Sequence, residues 1–300
     1  MLVAGNGGSH MSSFTRTAGV IGATVLTTAA LTTAPSAEAA TGSRVIAVPC
    51  STAALITAIG VANVTPSTLH LAPSCTYVLT GGLPTISGTM AFVGGPSTRL
   101  RATNIISNNF RILSVIGGHL RVRGIFIENA SLINAGGAAV LNLNGTLVLD
   151  HVTLTGNTVT NGAGGGLQNA AGSTTLVTRS TIVGNTSVGA TDNGGGILNE
   201  GTLTLFQSRV SANTTSAGGA GLATSAGGTS RVIQSTIDHN AATGNGGGVF
   251  NAGSTSIERT RIVRNSAASG GGVFGSVTAR GSIVRRNVPD NCVPAGPGCG

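Results

Sequence analysis

The chain of 300 residues has no lysine and no tryptophan, one tyrosine and seven phenylalanines. Lysine's absence excludes a phosphate-binding P-loop, whose glycines must be followed by that residue. Few rings leave little for base stacking, and no helix-turn-helix or zinc-finger spacing appears, so nucleic acid is not the expected partner. Charged residues make up 8%, against about 25% in ordinary soluble proteins. Only eight are acidic, and none forms an Asp-Asp pair. That argues against a glycosidase with two facing carboxylates and against a calcium site built from clustered carboxylates. A G-x-S-x-G elbow is also missing. Proline is scarce, and the 48 glycines follow no G-X-Y period, so neither a disordered chain nor collagen fits.

What remains is rich in Gly, Thr, Ser, Asn, Val and Ile, turn formers mixed with strand formers. The apolar residues fall into a repeat. An apolar residue, two variable residues and Asn recur as "FIEN", "LTGN", "IVGN", "VSAN", "IDHN", "IVRN" and "VRRN". They end at Asn129, Asn157, Asn185, Asn213, Asn240, Asn265 and Asn287, spaced 28, 28, 28, 27, 25 and 22 residues apart. Three residues before each Asn stand Phe126, Leu154, Ile182, Val210, Ile237, Ile262 and Val284. Five before stand Gly124, Val152, Ser180, Ser208, Ser235, Thr260 and Ser282. Eight before, from the second repeat on, stand Leu149, Val177, Leu205, Val232, Ile257 and Ala279. Between them lie Arg179, Gln207, Gln234 and Arg259, then Thr181, Arg209, Thr236 and Arg261. This alternation predicts one strand with positions −5 and −3 inward and −6 and −4 outward.

A second short strand precedes each, as "AAVLN", "GGLQN", "GGILN", "AGLAT", "GGVFN" and "GGVFG". Such a unit buries its apolar face only against copies of itself. The expected fold is all-β: a single-stranded right-handed parallel β-helix with a short N-terminal capping helix. Nine or ten coils at about 4.8 Å each would extend roughly 45 Å. The asparagines are expected to form a structural column, each side chain bonded to its neighbours above and below. "CSTAALITAIGVAN" predicts the capping helix, with Ser51 or Thr52 as N-cap and Leu55, Ile56 and Ile59 as its apolar face.

The expected layout is a signal peptide over 1–39, an N-terminal cap and first strand over 40–80, repeats over 81–290 and a disulfide cap over 291–300. The signal reading rests on Arg16, the mostly apolar run Ala18 to Leu31, and small residues at Ala37 and Ala39. Met11 is a plausible start. The apolar run is too short and Thr-rich for a secure membrane span. Export suits disulfides. Of three connectivities, local pairing of Cys50 with Cys75 and Cys292 with Cys299 is the simplest. These spacings do not match a zinc site, and no metal or cofactor is expected.

The alternation of "GGG[LIV]" with "[FLIV]xxN" resembles the repeats of polymorphic outer membrane proteins. The opening "CSTAALITAI…LAPSCTYVLT" and the ending "PDNC…GC" resemble secreted right-handed parallel β-helix proteins of actinobacterial type, over residues 44 to 300. The resemblance implies export and a surface or extracellular role. It departs from the outer membrane proteins in having no barrel-forming sequence after Asn287.

The net charge is +8, carried by arginine alone. Genome composition explains such a bias in part. The functional reading is a partner with carboxylate, sulfate or phosphate groups, which arginine grips by two prongs. Arg209, Arg259, Arg261, Arg264, Arg285 and Arg286 fall in the last four coils. Arg209 and Arg261 are expected in one column two coils apart, and Arg259 and Arg261 on one outer face. They are the candidate site for an acidic polysaccharide or a cell-wall polymer such as teichoic acid. The leading expectation is a monomeric, secreted, non-catalytic binding or adhesin-like module. The alternative is a polysaccharide lyase using His151, beside Asp150, or His239, beside Asp238, as base. Ice binding would need unbroken outer Thr columns, which Arg and Gln interrupt.

Overall fold

The computed structural model describes residues 43–103, 109–189 and 193–295. The expected signal segment, 1–39, and Cys299 lie outside them. The chain forms a parallel β-helix of about eight turns, with one helix near its start. A complete turn holds four strands, for example Val140–Leu143, Thr146–Asp150, Thr153–Thr155 and Thr158–Thr160. Each strand pairs in parallel with its counterpart in the turns before and after. The example strands belong, in that order, to a fourth sheet of eight strands, a first of ten, a second of nine and a third of five. The first sheet starts at Arg44–Val48, paired with Ser67–Leu71, so residues 40–80 already supply solenoid strands.

In-register pairing stacks like on like. Val122, Leu149, Val177, Leu205, Val232 and Ile257 form one fully buried file in the first sheet. Ile127, Leu154, Ile182, Val210, Ile237, Ile262 and Val284 form another in the second. Removing such files from water is the main stabilising term of the fold.

Two expectations change here. The stretch read as one alternating strand is two strands in different sheets. His151, Arg179, Gln207, Gln234 and Arg259 sit between them with φ of 46–54°. One left-handed residue turns the chain, and an inward Val, Ser or Thr follows it. The second change is register. Phe126 pairs with Thr153 and Ile127 with Leu154, so the first repeat was placed one residue out. Asn129 therefore falls outside the Asn column, at a corner with φ 64°, level with Gly156. Ala130 takes the column position, its N–H donating to Asn157 Oδ1 at 3.0 Å.

From Asn157 to Asn287 the column is continuous and buried. In each step the backbone N–H and Nδ2 of one Asn both donate to Oδ1 of the next. Nδ2 also donates to a backbone carbonyl of the preceding turn, such as Leu154 for Asn185. The corner is thus buried without orphaned groups. A parallel hydroxyl ladder runs at the previous corner. There the N–H groups of Val152, Ser180, Ser208, Ser235 and Thr260 donate to Ser180, Ser208, Ser235, Thr260 and Ser282. A third polar file, Asn142, Asn169 and Asn199, closes the corner between fourth and first sheets. Glycine is required where turns stack backbone on backbone. A Cβ on Gly248 would meet Gly272 O at 2.6 Å.

The helix runs Thr52–Val64, and Ser51 Oγ accepts from Ala54 N–H at 3.4 Å. Its buried face is Leu55, Ala58, Ile59 and Ala62. Ile56 is 43% exposed rather than part of that face, because it lies 100° round from Leu55. A Cys50–Cys75 disulfide ties the helix start to the strand Thr76–Leu79, with Cα atoms 5.6 Å apart.

Candidate functional site

Strands of the second sheet are mostly three residues long, with the middle residue inward. Their first positions carry Arg209, Thr236 and Arg261 in successive turns. Their third positions carry Ser211, Asp238, Val263 and Arg285. The next corner carries Ala212, His239, Arg264 and Arg286, all with positive φ. Strand period and corner geometry together converge Arg209, Arg261, Arg264, Arg285 and Arg286 on one open hollow of about 360 Å³. Asp238 and His239 also line it, with Thr236 and Val263. Arg209 and Arg261 do share a column two turns apart. Arg259 does not join them: it stands at the preceding corner, outside the hollow.

The hollow contains one carboxylate. Asp238 is buried although it faces outward. Arg209 grips it with both prongs, Nε to Oδ1 at 2.9 Å and Nη2 to Oδ2 at 2.6 Å. His239 Nδ1 lies 2.9 Å from Oδ2. Burial alone would push the Asp238 carboxyl up. Hydrogen bonds from Arg209, His239 and Ser211, with the Arg209 charge, outweigh it and hold the carboxyl below its ordinary value. The same hydrogen bond holds the Arg209 guanidinium above its own. Arg209 is therefore committed to Asp238. Arg261, Arg264, Arg285 and Arg286 make no ion pair with a carboxylate among the described residues. Arg264 and Arg286 stack in successive turns, Arg264 N–H donating to Arg286 O at 3.1 Å. Their stems rise about 4.8 Å apart, side by side at one corner.

The two His/Asp neighbours do not meet. His151 stands at the corner of first and second sheets, and His239 at the corner of second and third, more than three turns on. Each His has Nδ1 2.9 Å from the preceding Asp. Asp150 is held like Asp238. Arg179 donates to it at 2.8 and 3.1 Å, and Arg121 and Arg123 lie 3.9 and 3.6 Å away. Glu128 is a third buried carboxylate, paired with Arg99 at 2.8 Å and Arg101 at 2.5 Å. Sequence reasoning left these acids unassigned. Their outward burial depends on which arginine lies one turn away, a contact between residues 27–29 apart in sequence that the column pattern does not show.

Among the described residues no cluster of His, Cys, Asp and Glu could hold a metal ion. The arrangement suits reversible capture of an anion by four guanidiniums with unused donors, beside a His whose orientation is fixed by a buried acid. Comparison with known proteins brings no match, whether to a family model, a curated protein or a solved structure.

Proposed function

We propose that this β-helix is a non-catalytic binding module for an acidic polysaccharide at the cell surface or outside the cell. One observation carries the reading: four arginines without carboxylate partners converge on a hollow whose single acid is already taken up by Arg209 and His239. Such a hollow concentrates anions. Its lining has no Phe, Tyr or Trp, so nucleic-acid bases find no large aromatic stacking platform there. The signal-like segment, the Cys50–Cys75 bridge and the resemblance to polymorphic outer membrane repeats support an exported, adhesin-like role.

A lyase remains the second reading, because His239 lies in the hollow with Nδ1 held by Asp238. A glycan array of neutral, uronate, sulfated and phosphate-bearing polymers, followed by ultraviolet detection of unsaturated uronate, separates the two. Binding is expected on acidic glycans only, with no product. Product that vanishes in His239→Ala would overturn the non-catalytic reading. Unchanged acidic binding by Arg261→Gln with Arg264→Gln would overturn the hollow as the site.

A further inference from the structure

Asp150 ends the first-sheet strand Thr146–Asp150 and is 1% exposed although its side chain faces out. Arg121 and Arg123 from the turn before, and Arg179 from the turn after, cover it. Of these three arginines only Arg179 lies within hydrogen-bond distance, joined there by Thr178 Oγ1 at 3.0 Å and His151 Nδ1 at 2.9 Å. Arg121 and Arg123, at 3.9 and 3.6 Å, balance its charge but keep their donors. Their side chains are 41% and 59% exposed.

Those two arginines form one wall of a second hollow, of about 370 Å³, on the outer face of the first sheet. Ala91, Val93 and Val148 give it an apolar floor. An apolar floor beside cationic donors matches an acidic sugar, which has a C–H face and a charged edge. The arginine hollow around Asp238 lies further along the solenoid. In the first sheet, Arg121 stacks through Val148, Leu176 and Thr204 to Arg231, which shares a turn with Asp238. Four steps correspond to about 19 Å along the axis. Arg179 and Arg209, exposed in the turns between, continue the basic path.

We propose that the hollow beside Arg121 and Arg123 is a second anion subsite, and that one linear acidic polysaccharide spans both. The extension rests on the binding reading above. Linking two weak sites through one chain raises affinity without any new contact, provided the chain reaches both. A short oligomer should fill each hollow separately, and a long one should bridge them.

Titration calorimetry with digalacturonate and with a galacturonate dodecamer tests this, with sulfated oligomers of equal lengths identifying the preferred anion. Wild-type protein is expected to bind two dimers but one dodecamer, the dodecamer at least about tenfold more tightly. The double variant Arg121→Gln with Arg123→Gln keeps Arg179 on Asp150, so the buried carboxylate retains its hydrogen-bonded arginine. It is expected to bind one dimer and to lose the dodecamer's advantage. Dodecamer binding by this variant equal to wild type, with binding lost in Arg261→Gln with Arg264→Gln, would overturn the second subsite and leave the first standing. No binding of either anion series by wild type would overturn both. Thermal unfolding of each variant shows whether a loss reflects the site or the fold.

Discussion

Asn185 donates both its backbone N–H and its Nδ2 to Oδ1 of Asn213, at 2.9 and 3.0 Å. The relation makes the ladder a chain of buried dependencies. Asn213→Ala strips partners from two donors of Asn185 and from Ile182 O. Each buried orphan costs about 1–3 kcal/mol, so a loss of about 3–5 kcal/mol is expected in urea unfolding. Asn129→Gly, by contrast, should change stability by less than about 0.5 kcal/mol. It lies outside the column at φ 64°, where glycine is at ease.

The glycine turns separate close stacking from simple flexibility. On Gly248 a Cβ would fall 2.6 Å from Gly272 O and 3.0 Å from Asn265 Nδ2. Gly248→Ala should cost about 1–3 kcal/mol through overpacking. Gly60 lies mid-helix with nothing within 4 Å of an added Cβ. Gly60→Ala should stabilise by about 0.5–1 kcal/mol. Melting temperatures of the two variants should move in opposite directions.

Much of the fold was legible because stacking repeats a residue type in a column, and columns survive in one sequence. Leu154, Ile182, Val210, Ile237, Ile262 and Val284 were aligned from spacing alone. Two things escaped. The bend at Arg179 and its equivalents leaves only a slip of phase, the inward Val177 and Ser180 standing three residues apart instead of two, which a strand alternation read on either side passes over. The register at Phe126 was hidden because Asn129 imitates the motif one residue early. Of the candidate site, the column shared by Arg209 and Arg261 was legible. The engagement of Arg209 with Asp238 was not, since it joins residues one turn apart across a sheet.

Acid should weaken the fold through Asp150 and Asp238. Both carboxyls are held below their ordinary values in the folded chain. For Asp150, burial pushes the other way, and hydrogen bonds from Arg179 and Thr178 with the charges of Arg179 and His151 outweigh it. A depressed folded value adds stability above the unfolded value of about 3.9, lost as pH falls through the folded value. Unfolding free energy should therefore drop as pH is lowered below about 4. Asp238→Asn should flatten part of that slope in urea titrations across the acid range.

Reduction should release the helix end of the solenoid first. The Cys50–Cys75 bridge spans a sequence separation of 25, for which loop closure contributes about 3 kcal/mol. Calorimetry with and without reductant should show a lower transition temperature in the reduced chain. Hydrogen exchange should rise mainly over Thr52–Val64 and Arg44–Val48, the segments that the bridge anchors.

The most direct measurement is the salt dependence of affinity for an acidic polysaccharide. It compares wild type with a variant carrying Gln at Arg261, Arg264, Arg285 and Arg286. These four leave Asp238 with Arg209 and His239, so the fold keeps its buried pair. Wild-type affinity should fall steeply as salt rises, because the arginines neutralise the polyanion and displace the cations condensed on it. The variant should bind at least about a hundredfold more weakly at low salt, with a shallower slope. Equal affinity and equal slope in the two proteins would contradict the account.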